Sequence, residues 1–256
     1  MDRLLEETHR AERRHFWFRG FRQFVRPLLV EATAGLTRPR LLDCGSGTGA
    51  NLPLLKEFGQ PFGLDLTWRG LRFAQQSGWR CLARASVTAV PFASAAFDVV
   101  TSFEVLYSLS DAEEALALAE MHRVVRPGGA LIVTTAALSM LRGDHSMLTG
   151  EVRRHNRAQL RGALERAGFR IERLTYTNAV LFPLTAAVRA FQRLRGLESP
   201  DETLGDFRVP PAPVNALLAG ALSIEARLLA SGLNMPVGSS LLCLARKPSV
   251  ANAALR

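Results

Sequence analysis

A carboxylate followed by evenly spaced glycines is the pattern in this chain that most directly indicates chemistry. An apolar run ends at Asp43, and Gly45, Gly47 and Gly49 follow at alternate positions. Glycine permits backbone angles, and a close approach of a ligand, that a Cβ atom would prevent. Where such a turn opens a helix, its backbone N–H groups point toward whatever lies above the strand end. The pattern predicts a ligand-binding turn between a strand and a helix.

Asp43 distinguishes between two kinds of ligand for this turn. Gly45, Gly47 and Ala50 also match the glycine spacing of dinucleotide-binding turns. A carboxylate two residues before the first glycine would repel a pyrophosphate but attract an ammonium group. We therefore expect a ligand that is cationic near Asp43, with a plain strand-to-helix turn as the structural alternative.

The elements around the turn alternate between strand and helix. Seven strands are predicted, at 39–43, 62–65, 80–85, 97–102, 130–135, 169–177 and 240–246. Helical patterns lie between most of them, for example at 111–125, where Ser110 can cap the helix, and at 157–167. This alternation predicts an α/β fold, doubly wound, with a mostly parallel sheet covered on both faces.

Several segments in a fixed order resemble one known family. The run from Asp43 to Gly49 is similar to the first signature of class I S-adenosylmethionine-dependent methyltransferases, of the type 11-like group. Asp65, Val90-Pro91-Phe92 and the segments at 97–107 and 123–131 resemble the motifs that follow it. The resemblance covers roughly residues 10–180 of the chain. It implies a Rossmann-like seven-stranded sheet with an antiparallel last strand, and S-adenosylmethionine as the cofactor.

The resemblance also implies which residues hold the cofactor. Asp65 would accept hydrogen bonds from both ribose hydroxyls, the alternative being a helix cap or a surface charge. Relatives often have an aspartate at the place of Ser86 for the adenine amino group, so a hydroxyl or the backbone at Val87 would take that contact here. The implied set also contains Asp43, Gly45, Ser46, Gly47, Gly49, Leu66 and Glu104.

The segment 12–22 resembles a leader with the pattern H-W-W-F, which folds over the cofactor in a subset of these enzymes. The face of Trp17 can attract a sulfonium cation, and Arg22 can pair with the methionyl carboxylate. A helix that packs its aromatic side chains on the flank of the sheet is the alternative, and both interpretations stay open.

The candidates for a general base are His145, His155 and Tyr107. They follow the predicted fifth and fourth strands, where side chains can face the cleft above the sheet, and an oxygen nucleophile usually needs a base. A histidine on a loop is more often structural. Relatives often carry a histidine at the place of Ser108, so a mechanism based on that histidine does not transfer.

We expect four parts along the chain. They are an N-terminal helical lid (1–36), the cofactor-binding α/β core (37–178), a helical insertion as a candidate substrate cap (179–238), and the final strand with the tail (239–256). The first helix of the insertion combines an apolar side with arginines, which is compatible with a membrane surface or a lipidic substrate. Packing on its own domain or on a dimer partner is the alternative.

Composition limits the remaining choices. The net charge is +9, and 48% of residues are hydrophobic, which is ordinary for a globular protein. Nearly all basic residues are arginine, the only lysines being Lys56 and Lys247. Because such a skew often reflects coding bias, the charge is weak support for nucleic-acid binding. The three cysteines are widely spaced, which favours a reducing compartment and no zinc site or other metal site. No signal peptide is visible, and the longest apolar run, 214–224, is too short to span a bilayer. We expect a cytoplasmic protein.

The sequence thus predicts a methyltransferase that acts on a small-molecule or lipid-like acceptor, with peripheral membrane contact as a further hypothesis. Two alternatives remain: an RNA methyltransferase, although the tetrad N/D-P-P-Y/F typical of base-amino enzymes is absent at the fourth strand, and a cofactor-binding protein without transferase activity. The acceptor, its reacting atom and the oligomeric state stay open.

Overall fold

The computed structural model describes residues 2–143, 146, 150–195 and 209–249 and contains a seven-stranded sheet. The strands are β1 (Arg40–Cys44), β2 (Gln60–Asp65), β3 (Leu82–Arg84), β4 (Phe97–Phe103), β5 (Val125–Ala136), β6 (Arg170–Thr177) and β7 (Ser240–Arg246). Their order across the sheet is β3-β2-β1-β4-β5-β7-β6. β7 runs antiparallel to both of its neighbours, β5 and β6, and the other neighbouring strands of this sheet pair in parallel. The predicted fold class is confirmed.

Helices cover both faces of this sheet. They are α1 (Asp2–Ala11), α2 (Phe16–Thr33), α3 (Leu52–Lys56), α4 (Trp68–Gln76), α5 (Asp111–Val124), α6 (Arg157–Arg166), α7 (Phe182–Arg195) and α8 (Ala212–Ala230). On one face, α5 and α6 bury side chains such as Met121 and Leu164 against Val100 of the sheet. On the other, α2 and α8 bury side chains such as Leu28 and Leu229. These four helices are held by their apolar sides, as expected for a doubly wound sheet.

α8, the second helix of the predicted insertion, is longer than the apolar run seen in the sequence. By length and composition it could cross a bilayer, so the expectation that this region is too short was wrong. Its inner side nevertheless packs on the core: Leu222, Ala226 and Leu229 are buried. A Cβ atom on Gly20 of α2 would lie 2.4 Å from Leu222 Cδ1. Glycine at this position therefore lets α2 and α8 approach closely.

Two elements differ from their predicted form. The strand predicted at 130–135 begins at Val125, because Val125 pairs with Phe97 of β4. The backbone of Gly128 and Gly129 also pairs with Lys247 just beyond β7, at 2.9 Å for each hydrogen bond. Helix α5 has the predicted cap, a capping box between Ser110 and Glu113. Its buried side, however, includes Glu114, which no apolar stripe predicts.

Candidate cofactor and acceptor site

The glycine turn lies where the sheet changes direction. The order of strands reverses between β1 and β4, and in open α/β sheets ligands bind at the carboxyl ends of the strands at that point. The three glycines have positive φ: +85° at Gly45, +52° at Gly47 and +79° at Gly49. A Cβ atom on Gly45 would come within 2.3 Å of Val105 Cγ2. At Gly47, by contrast, no described atom lies within 4 Å of that position, so this turn borders open space.

Asp65 connects β2 to the glycine turn. Its Oδ2 accepts a hydrogen bond from Gly47 N, and its Oδ1 accepts one from Thr67 N, each at 2.7 Å. The carboxylate is half-buried, and the neighbouring Leu66 is exposed. These contacts fix the carboxylate at the open side of the turn, where the ribose role predicted for it stays a prediction.

Asp43 lies at the end of β1 and is buried. Its Oδ1 accepts a hydrogen bond from Thr101 Oγ1 at 2.7 Å. The pKa of Asp43 is raised to about 7, chiefly by burial; the hydrogen bond from Thr101 opposes this rise, and the charge of Asp65 contributes to it. A cationic ligand group at this carboxyl would favour its ionised form and lower the pKa again.

Four buried side-chain atoms around this point have no hydrogen-bond partner among the described residues. They are Asp43 Oδ2, Ser46 Oγ, Ser102 Oγ and Glu104 Oε1. All four residues stand at or just beyond the carboxyl ends of the adjacent strands β1 and β4. Buried polar atoms in native proteins are nearly always hydrogen-bonded, so such a group calls for an explanation, and a bound ligand is one.

Glu104 follows β4 directly with a positive φ of 56°, which is uncommon for a residue with a side chain. Its carboxyl is buried, and burial raises the pKa of Glu104 to about 7, while the hydroxyl of Thr134 and the charge of Arg154 oppose the change. A constrained backbone and an unpaired carboxyl oxygen at a strand end are features that cluster at ligand sites.

The residues predicted to contact adenine lie on the loop after β3. Ser86 is half-buried, and its hydroxyl is hydrogen-bonded to the side chain of Thr88 at 2.7 Å. Val87 is buried in the core. The backbone of Ala85 donates to Asp65 O at 3.1 Å, so this loop adjoins the end of β2. The adenine contact itself stays a prediction.

The N-terminal segment contacts the glycine turn through a residue that the sequence did not single out. Glu12 is buried and its Oε2 accepts a hydrogen bond from Thr48 Oγ1 at 2.6 Å. Burial raises the pKa of Glu12, with the Thr48 hydroxyl and His9 opposing. Arg22 donates from Nη2 to Glu12 O at 3.0 Å. No local sequence signal marks Glu12, because its partner belongs to the turn more than thirty residues away.

Trp17 and Arg22 thus belong to a segment that adjoins the site. Trp17 is partly exposed and stacks on Phe21, with 5.6 Å between the ring centroids. Phe21 in turn meets Phe103 at the end of β4 edge-to-face, at 5.1 Å. The rest of α2 packs on the sheet. The segment therefore combines a position beside the site, as expected for a leader over the cofactor, with aromatic side chains packed on the flank of the sheet. The contacts of Trp17 and Arg22 with a cofactor stay predictions.

The structure places the three candidate bases differently. His155 is buried next to β5: its Nε2 lies 2.8 Å from Glu114 Oε1 and its Nδ1 lies 3.4 Å from Thr135 Oγ1. Tyr107 is half-buried, and its backbone oxygen accepts hydrogen bonds from Val152 and Arg153. His145 lies outside the described residues.

Arginines near His155 are also paired within the chain. Arg153 Nη1 lies 2.6 Å from Asp111 Oδ1 and 2.7 Å from Glu114 Oε2. Arg154 Nε lies 2.8 Å from Glu151 Oε1. Beside these pairs, an open cavity of about 940 Å³ lies between α5 and α6. Of the site residues predicted from the sequence, His155 is the one that lines this cavity. It is separate from the residues at the glycine turn.

Comparison with known proteins agrees with this geometry. Residues 42–133 match the family described as a methyltransferase domain. A malonyl-[acyl-carrier protein] O-methyltransferase of Pseudescherichia vulneris is 37% identical over 116 residues, which are 44% of this chain and 45% of that protein. A demethylmenaquinone methyltransferase of Renibacterium salmoninarum is 33% identical over 110 residues, 42% of this chain and 46% of that protein.

A solved structure extends the likeness over most of the fold. The crystal structure of the [4+2]-cyclase SpnF covers 89% of this chain and 81% of its own, with 24% identity and a TM-score of 0.57. This likeness concerns the fold alone. The chain spans about half the length of the two curated relatives above.

Residues 42–133 therefore form a methyltransferase domain, and the chain has the fold of class I S-adenosylmethionine-dependent methyltransferases. The resemblance that the motifs predict is confirmed for this domain. S-adenosylmethionine is the cofactor of the class, which agrees with the cofactor predicted from the sequence.

Proposed function

We propose that this protein transfers a methyl group from S-adenosylmethionine to a small-molecule or lipid-like acceptor. The observation that carries the proposal is the group of unpaired buried oxygens at the junction of β1 and β4, next to the open space at Gly47. These carboxyl and hydroxyl oxygens fit a ligand that carries an ammonium group and hydroxyls.

Each residue at the junction would contact a different part of the cofactor. Asp43 would face the ammonium group and Asp65 the ribose. Oδ1 of Asp65 already accepts two hydrogen bonds from Thr67, but its Oδ2 can accept a second hydrogen bond besides the one from Gly47 N. Ser86 and Val87 would contact the adenine, and Leu66 would lie beside it. Trp17 and Arg22 would close the site from the N-terminal side.

Bound S-adenosylmethionine supplies a methyl group that is already activated on sulfur, so the chain mainly has to position the acceptor and exclude water. Tyr107, His145 and His155 remain our candidates for accepting a proton from the acceptor. His155 already has a partner at each ring nitrogen, and this favours a structural role for it over one in the reaction.

The acceptor class is supported by the names of the two relatives. One acts on a malonyl group on an acyl carrier protein and the other on demethylmenaquinone. For this chain we propose an acceptor of the same broad kind, small or lipid-like, and not a nucleic acid. We also propose a reducing compartment such as the cytoplasm, because the three cysteines are free.

A second candidate is cofactor binding without methyl transfer. It is favoured by the likeness to SpnF, a [4+2]-cyclase that shares the fold. The two functions differ in whether a methyl group leaves the bound cofactor.

The proposal is tested first by calorimetry with S-adenosylhomocysteine. Loss of the ribose contacts in Asp65→Ala should weaken binding by about a hundredfold, since hydrogen bonds to a charged group contribute about 1.5–3 kcal/mol each. Glu165→Ala, on the exposed side of α6, is the matched control and should bind as the native chain does. Equal affinity in both variants would contradict the assigned role of Asp65.

Transfer is tested with S-adenosylmethionine labelled with tritium on the methyl group and extracts of cellular small molecules and lipids. Label in the small-molecule or organic fraction is the expected result. Binding without label in any fraction would favour the second candidate, and competition by added RNA would revive a nucleic-acid acceptor.

A further inference from the structure

Helix α7 has its apolar side turned away from the protein. Its exposed side chains Leu184, Val188, Phe191 and Leu194 follow one another at spacings of four, three and three, so they form one stripe. Their exposed fractions are 57%, 44%, 65% and 87%. None of the side chains of α7, all of which are described, is buried.

The polar side of α7 faces the protein instead. A Cβ atom on Gly143 would lie 2.5 Å from Arg189 Cδ and 2.6 Å from Gln192 Oε1, so these two side chains pack directly on the loop after β5. Arg193 donates a hydrogen bond to Met140 O in the same loop. This is the reverse of an ordinary surface helix, which turns its apolar side to the core.

The helix is anchored by a buried carboxylate. Glu225 of α8 is buried, and its Oε2 accepts a hydrogen bond from Val180 N at 3.0 Å, just before α7 begins. With this contact at its start and Arg193 near its end, α7 is held with its stripe outward. Met140, exposed to 55%, stands in the loop that Arg193 contacts. We call Met140 and the four side chains of the stripe the outer face of α7.

The charged side chains of α7 itself are all positive. Helix α7 contains Arg189, Arg193 and Arg195 and no acidic residue, in a chain of net charge +9. Arg193 and Arg195 are exposed near the end of the stripe, and an apolar stripe with exposed arginines beside it is typical of helices that lie in the surface of a bilayer with anionic lipids.

We propose that the outer face of α7 binds the surface of a bilayer that contains anionic lipid. This proposal does not depend on methyl transfer, but it would place the loop after β5, and with it the carboxyl edge of the sheet, beside the membrane. A lipid-like acceptor could then reach the site without crossing water.

The test is cosedimentation of the full chain with vesicles. The native chain should bind vesicles of mixed phosphatidylcholine and phosphatidylglycerol more strongly than vesicles of phosphatidylcholine alone, and added salt should weaken the difference. Phe191→Asp with Leu194→Asp should lower the partition coefficient by about tenfold or more, because two apolar side chains no longer insert. Leu116→Asp, an exposed leucine on α5, is the matched control and should leave binding unchanged.

Native protein that stays in the supernatant with both kinds of vesicle would overturn the proposal, as would a double variant that binds like the native chain. Light scattering that shows a native dimer split by the double variant would assign the face to a second copy instead. Calorimetry with S-adenosylhomocysteine on the same samples separates the two proposals, since the double variant should keep native cofactor affinity.

Discussion

Two neighbouring parts of the sheet edge differ in whether the oxygens of their buried carboxylates are paired. At the junction of β1 and β4, Asp43 and Glu104 each keep a buried carboxyl oxygen without a partner among the described residues. Beside β5, His155 pairs with Glu114, and Arg154 pairs with Glu151. Residue type alone is therefore a poor guide to a site: carboxylates whose oxygens are paired within the chain stabilise the fold, whereas an unpaired carboxyl oxygen beside open space is available to a ligand.

The largest effect is expected beside β5. Glu114→Leu would leave His155 and Arg153 without their shared buried partner, so the free energy of unfolding should fall by about 3–5 kcal/mol, measured by urea denaturation. Affinity for S-adenosylhomocysteine should stay close to native. Asp111→Ala removes the exposed partner of Arg153 and serves as the control, with a loss below about 1 kcal/mol. If Glu114→Leu instead weakened the binding of S-adenosylhomocysteine and left the free energy of unfolding unchanged, the residues beside β5 would belong to the ligand site.

A pH effect is expected at the junction. In the folded chain the pKa of Asp43 is about 7, against an ordinary value of 3.8, so between these values the folded state holds a proton that the unfolded state has released. This carboxyl therefore makes the free energy of unfolding fall as pH rises, by about 1.4 kcal/mol per pH unit. Asp43→Asn should lack that contribution, which denaturation curves of both proteins over the same pH range would reveal.

The affinity for S-adenosylhomocysteine should change with pH in the opposite direction to the free energy of unfolding. As Asp43 ionises, it attracts an ammonium group more strongly, so the affinity of the native chain for S-adenosylhomocysteine should rise toward neutral pH and then level off. In Asp43→Asn that rise should be absent. A pH profile equally steep in both proteins would remove Asp43 from the cofactor site.

The smallest effect compares two glycines of similar backbone conformation. Gly47 and Gly35 both have positive φ and no described atom near the place of a Cβ. Alanine at either should cost about 1 kcal/mol of stability through backbone strain. Only Gly47→Ala should also weaken binding of S-adenosylhomocysteine, because only that Cβ would enter the proposed ligand space. Parallel losses of affinity in both variants would show that strain, and not the ligand, is responsible.

Helix α7 illustrates what periodicity can and cannot predict. The apolar stripe of α7 follows from spacing, and the sequence left open whether it packs on the protein or on a membrane. The contacts of Arg189 and Arg193 with the loop after β5 turn the stripe outward. Those contacts involve a segment about fifty residues away in the chain, so no local pattern contains them.

The same limit applies within α5 and the N-terminal segment. Glu114 occupies a buried position because His155 and Arg153 reach it from the loop after β5. Glu12 is buried because Thr48 of the glycine turn meets it. Apolar spacing predicts which side of a helix faces the core, but it does not find a charged residue that is buried through a distant partner.

By itself the sequence determined the alternation of strands and helices, the glycine turn after β1 and the motif set that indicates S-adenosylmethionine, because each depends on backbone requirements or spacings local to a few residues. Only the tertiary structure decided which polar groups are satisfied and which side of α7 is exposed. Both depend on partners that are far apart in the chain, and these are brought together only when the sheet forms.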